Sequence, residues 1–192
     1  KEVPFKKIVN YILCSNSRIF SARSIHRYIK NDFPDLSIMT VVKYIEYLKE
    51  AYIIDEIPQY STKTKRELRY YGKIYDSDVC FNSLRANNNR YDIDHNLENI
   101  VYNELLFMGY DLKIYNNNGK EIDFIASKDN KTFFIQVAYS VADEKGYNRE
   151  MDAFKNLDNL NQKILITNDI IDYSTSTIKH IKLDDFLMME EL

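Results

Sequence analysis

Glycine is scarce in this chain, with four in 192 residues and none in a Gly-x-x-x-x-Gly-Lys-Ser/Thr run. A nucleoside triphosphate is cradled by backbone N–H groups that a glycine-rich loop brings close to its phosphates, so no nucleotide cofactor is expected to bind these residues. Cysteine is equally sparse. Cys14 and Cys80 stand far apart in apolar contexts, which excludes a disulfide scaffold or thiolate metal cage and leads us to expect two buried thiols in a reduced, cytoplasmic protein. No apolar run approaches the roughly 20 residues that span a bilayer, and Lys1-Glu2-Val3-Pro4 has no signal-peptide architecture, so no membrane partner is expected. Lysine plus arginine number 26 against 29 acids, a net charge of −3, so any attraction to nucleic acid has to come from a local patch. The chain also has no initiator methionine and starts at the edge of a helical pattern, as expected of a piece cut from a longer protein.

What is present is apolar and patterned. Apolar residues make up 45% and aromatics 14% of the chain, enough to offset the entropy of folding in one or two small domains. Phe5, Ile8, Val9, Ile12 and Leu13 recur at helical spacing. Ser21 can cap a second helix that ends before Pro34, and Ser37 a third with the stripe Ile38, Val41, Val42, Ile45, Leu48. Strands follow at Tyr52–Ile57 and Leu68–Tyr71. Three helices and a hairpin make a winged-helix-like pattern over residues 1–78.

The Asn-rich stretch between Asp76 and Asp94 reads as an irregular linker, with a domain boundary at 78/79. Beyond it come a helix over His95–Met108 stopped by Gly109, and three strands, Asp111–Tyr115, Lys120–Ala126 and Lys131–Tyr139, joined by turns. A helix over Asp143–Leu157, a strand Lys163–Thr167 and a last helix over Leu183–Met189 complete a mixed sheet flanked by helices. The predicted class is α+β, with an α/β domain over 79–192.

Metal-dependent phosphodiester cleavage requires two carboxylates on one Mg²⁺ and a lysine near the attacking water. A strand carrying Asp beside one carrying Glu-x-Lys provides them, because the period of two projects Glu and Lys from one face. Gly119-Lys120-Glu121-Ile122-Asp123-Phe124 followed by Phe133-Phe134-Ile135-Gln136-Val137-Ala138, behind a helix with Glu104, resembles that core of the PD-(D/E)XK nuclease superfamily. The Glu position holds Gln136 and the Lys position Ala138, so the resemblance implies a degenerate site of Glu104, Asp123 and Gln136, with Asp123 the remaining metal ligand should Mg²⁺ bind at all. For Asp123, Gln136 and Glu104 a purely structural, hydrogen-bonded role is the competing reading.

Leu48-Lys49-Glu50-Ala51-Tyr52-Ile53-Ile54, Glu98 to Leu105, Arg149-Glu150 and Lys163 to Thr167 extend the likeness over nearly the whole chain. In this order they are similar to the C-terminal region behind the ATPase core of many prokaryotic AAA-family proteins. That resemblance implies an accessory or regulatory module binding nucleic acid or a protein, partnered by an upstream ATPase domain of the same chain and by other subunits. The alternative is a Mg-dependent endonuclease in which Asp123 acts with Glu104 or Glu121 and with Lys155 supplied from the next helix. DNA, if bound, would meet Lys63, Lys65 and Arg66 of the wing and Lys43 of the third helix. Glu46 and Glu50 on that helix repel phosphate and favour a scaffold that packs on protein.

Overall fold

A computed structural model describes residues 2–60, 72–85, 92–117, 120–155, 157 and 160–192. In chain order the elements are α1 (Glu2–Leu13), β1 (Arg18–Phe20), α2 (Ala22–Ile29), α3 (Ile38–Glu50), β2 (Ile54–Ile57), β3 (Gln59–Tyr60), β4 (Gly72–Asp76) and α4 (Cys80–Arg85). They continue with α5 (Ile93–Phe107), β5 (Asp111–Asn117), β6 (Lys120–Lys128), β7 (Lys131–Ala138), α6 (Glu144–Ala153), β8 (Gln162–Thr167), β9 (Ile178–Lys182) and α7 (Leu183–Phe186). Two compact units result, Lys1–Pro58 with Thr64–Asn99, and Gln59–Lys63 with Ile100–Leu192. The division falls inside α5 and not at the expected 78/79, because β4 and the first half of α5 pack into the first unit. Among the described residues no helix is long and apolar enough to cross a membrane.

In the first unit Ser21 and Ser24 form a capping box at the start of α2, and the Ser37 hydroxyl accepts the Thr40 N–H at the start of α3. Ile8, Ile12, Ile25, Ile29, Val41, Ile45 and Leu48 then fill one core. Burying each such side chain contributes about 1.5–3 kcal/mol. The sheet order is β1-β4-β2, antiparallel throughout. Neither β1 nor β4 is among the expected strands, and β4 together with α4 occupies residues read as linker or left unassigned. The strand expected at Leu68–Tyr71, the wing cations Lys63, Lys65 and Arg66, and Asn87–Asn89 lie outside the described residues. Cys14 and Cys80 correct another expectation, since both thiols are exposed and not buried. Apolar sequence neighbours do not dictate which way a thiol at a helix end points.

Every residue of β4 is buried, and α5 supplies partners for the Lys73 and Tyr75 side chains and the Asp76 main chain. Glu98 Oε1 accepts from Lys73 Nζ at 2.8 Å and from the Tyr75 hydroxyl at 2.6 Å. The Asn99 amide bonds the main chain of Asp76 on both sides, accepting its N–H at 2.7 Å and donating to its carbonyl at 2.8 Å. It thereby acts as a one-residue strand partner.

The second unit holds a six-stranded mixed sheet in the order β3-β5-β6-β7-β8-β9. The β5-β6-β7 part is antiparallel, while β7-β8-β9 and the β3-β5 edge are parallel. Gly109 takes φ 84° after α5, a left-handed conformation that releases Tyr110 N–H to the Leu105 carbonyl. Asp129 and Asn130, both at positive φ, turn β6 into β7. Neighbouring residues in a strand face opposite ways. Phe124 accordingly stacks on Tyr102 of α5 at 6.3 Å between centroids, whereas Ile125 joins Phe134, Leu165 and Phe154 on the α6 side. Helices thus cover both faces.

Burial pushes the Asp76 carboxyl up to about 7 from an ordinary 3.8. A carboxyl whose folded value is raised contributes its full stability below the unfolded value and loses it as pH climbs through the folded one. Urea denaturation from about pH 4 to pH 8 should therefore show stability falling, and Asp76→Asn should flatten that fall by about 2–4 kcal/mol. An unchanged slope in Asp76→Asn would contradict the assignment.

Candidate functional site

The pairing of β5 with β6 slips one residue in register. Lys113 faces Ile125 but Tyr115 faces Ile122, so Asp123 and Phe124 together oppose Ile114. Next to this bulge the Asp123 N–H meets the Gln136 side chain of β7 and the Asp123 carboxylate meets the Val137 main chain, and bulges commonly re-aim a side chain in this way. The last residue pair joining β6 to β7 on this side is Phe124 with Ile135. One step further, side chains replace the ladder.

The Asp123 N–H donates to Gln136 Oε1 at 3.3 Å, and Asp123 Oδ2 accepts the Val137 N–H at 2.9 Å. Gln136 Nε2 then donates to Glu150 Oε2 of α6 at 2.7 Å, and Arg149 Nε donates to Glu150 Oε1 at 2.6 Å. Asp123, Gln136 and Glu150 are only 7%, 8% and 4% exposed. The Gln136 amide presents its oxygen to a strand N–H and its NH₂ to a carboxylate, which is the one orientation that suits both neighbours. A neutral amide therefore links the β6 main chain to a buried helix carboxylate, with no second charge against Glu150 from β7.

The other expected site residues are not gathered here. Glu104 is half-buried on α5 and its side chain makes no hydrogen bond or ion pair among the described residues. Lys155, offered as a substitute lysine, is 67% exposed and pairs with Asp152 at 2.5 Å, which holds the Asp152 carboxyl below its usual range. The Lys position is Ala138, buried in the apolar cluster of Ile122, Phe134, Val141 and Leu165. Among the described residues no group of three or more His, Cys, Asp or Glu side chains could hold a metal ion. Mg²⁺ seeks near-octahedral oxygen donors, and a carboxylate oxygen given to a backbone N–H beside a neutral amide does not suit it.

On the first unit Lys43 is exposed on α3 beside Met39 and Tyr47. Lys49 is held by Glu46 at 3.4 Å and Glu56 at 3.2 Å. Burial also holds the His95 imidazole below its ordinary value, so it adds no positive charge near neutral pH.

Residues 94–186 match the family model described as a domain of unknown function (DUF4143). That DUF4143 match contains Asp123, Gln136 and Glu150 and omits α1 to α4. An uncharacterized protein of Haemophilus influenzae is 26% identical over 162 residues, covering 84% of this chain and 40% of that protein. Another, from Methanocaldococcus jannaschii, is 31% identical over 175 residues, covering 85% of this chain and 38% of its own length. The chain thus spans about two fifths of the curated relatives it matches. No solved structure matches it significantly.

Glu150 is the site residue that strand-pattern reasoning does not find. Its signal is an acid on an apolar helical stripe, three residues after Tyr147 and four before Phe154. Replacing Gln136 by Glu would set a second carboxylate against Glu150, so one of the two has to hold a proton. We expect Gln136→Glu to lose about 3 kcal/mol at pH 8 and less at pH 5, measured by denaturant unfolding. A variant as stable as the parent at pH 8 would contradict the bridge.

Proposed function

We propose that this chain is the C-terminal accessory module of a larger AAA-type ATP-binding protein, and that it docks on protein through a nuclease-like fold that no longer does metal chemistry. The observation that carries this is the Gln136 amide, bonded to the Asp123 main chain and to Glu150 at the point where a nuclease needs two metal-bound carboxylates. The sheet supports the nuclease-like reading. Three antiparallel strands, a helix and then a parallel strand are the order of that core. In the first unit, the order α1, β1, α2, α3, β2, β4 with an antiparallel sheet supports a winged-helix-like reading. Relatives more than twice as long fit a module belonging to a larger polypeptide, whose ATPase part is the first partner proposed.

Protein is favoured over DNA by the α3 face. Its exposed positions carry Met39 and Tyr47 together with Lys43, Glu46 and Glu50, and the helix's other lysine is engaged by carboxylates. A major-groove helix would present cations without neighbouring acids. Any phosphate contact rests on Lys63, Lys65 and Arg66.

Two measurements test the reading. Incubated with plasmid DNA and Mg²⁺ or Mn²⁺, the protein should leave the DNA intact, and Mn²⁺ should raise the melting temperature of Gln136→Glu but not of the parent. Metal-dependent cutting that Asp123→Asn abolishes would restore the endonuclease alternative. In a retardation series, duplex binding should be weaker than about 10 μM near physiological salt. A submicromolar complex, lost when Lys63, Lys65 and Arg66 are neutralised, would contradict the protein-docking assignment.

A further inference from the structure

Parallel strands are usually joined by a helix that covers the sheet. Between β8 and β9 there is none: residues 168–177 are an irregular crossover. Near the start of β9 lies a groove of about 490 Å³ with Tyr147, Met151, Phe154 and Ile178 as its apolar floor and Lys155 at its rim, while the buried Lys163 donates from its Nζ to the Leu157 carbonyl at 3.3 Å. A second feature is the crossover's own tip. Ile170 and Ile171 are 91% and 65% exposed, two adjacent β-branched residues left largely uncovered by the described residues.

That tip is held in place. Asp169 accepts from the Ser140 hydroxyl and the Val141 N–H, both at 2.7 Å. On the far side Tyr173 N–H donates to His180 Nδ1 at 3.3 Å, His180 N–H to Ser174 Oγ at 3.0 Å, and Thr175 N–H to the Ile178 carbonyl at 2.9 Å. A segment already ordered forfeits little entropy when it binds. Asp172 beside the tip is 75% exposed, and the Ser174 hydroxyl and N–H hold its carboxyl below the usual range.

Tip and groove are therefore complementary, an acid-flanked apolar knob and a recess with an apolar floor and the exposed Lys155 at its rim. They lie at opposite ends of β8, whose six residues at about 3.3 Å each separate them by about 20 Å. One tip cannot fold back into its own groove. A two-fold axis through the middle of the crossover would run two copies antiparallel and set each tip over the partner's groove, the self-complementary arrangement of an isologous pair. We infer that a second copy of this chain occupies the groove, and that the chain self-associates by reciprocal insertion of Ile170 and Ile171. The inference does not depend on the nuclease-like reading.

Sedimentation velocity over a concentration series up to about 1 mM tests it. The parent chain should form a dimer. The double variant Ile170→Ser with Ile171→Ser, and separately Lys155→Glu with Thr177→Glu, alter exposed side chains and should each weaken the dimer at least about tenfold. Mixing the two variants leaves one intact tip-in-groove contact per pair, so the mixture should recover a heterodimer that neither forms alone. A parent that stays monomeric throughout overturns the proposal and leaves the groove to a different occupant. So does a dimer indifferent to both variants, or a mixture that recovers nothing.

Discussion

One side-chain amide connects the parts of the second unit that matter most. Gln136 takes a strand N–H from β6 on its oxygen and gives its NH₂ to a carboxylate on α6. Without it, a bulged strand would leave a buried N–H unmatched and Glu150 would lose a charge-assisted bond, each costing about 1–3 kcal/mol. The end of the β6-β7 ladder and the buried Glu150 of α6 both bond to that one neutral group. A carboxylate in its position would need a metal or a proton to be tolerated.

The same constraint governs the groups around Gln136. Asp123 still faces the adjacent strand, yet one of its oxygens closes a ladder position on Val137 N–H. Ala138, on the same side of β7, packs into the apolar cluster, where an ammonium would be stranded. Asp123 and Gln136 thus serve cohesion, joining β6 to β7 and β7 to α6. The first unit repeats the theme with different residues, since Glu98 and Asn99 bond Lys73, Tyr75 and the Asp76 main chain of the wholly buried β4 from α5.

The legibility of the fold in the sequence follows from how local each signal is. Ser21, Ser37 and Gly109 mark helix ends through bonds within a few residues, and α1 to α3 and the β5-β6-β7 meander follow from stripes and turns. The strand β1 has only three residues, too short for alternation to register. Strand β4 contains Lys73 and Asp76, which read as surface until Glu98 and Asn99 are placed against them. Strand β9 alternates lysine and isoleucine around His180, and its partner β8 lies across a crossover without a helix.

At the site, the Asp123 and Gln136 pairing was legible because the period of two and the hairpin turn are both written locally. Glu150 was not, since only folding brings α6 over β7. The account turns on the Gln136 side chain, and nuclear magnetic resonance of its NH₂ group measures it directly. It predicts protected, slowly exchanging side-chain protons that added Mn²⁺ leaves unbroadened. Rapid exchange with water, or selective broadening of Gln136 and Asp123 by the paramagnetic ion, would contradict it.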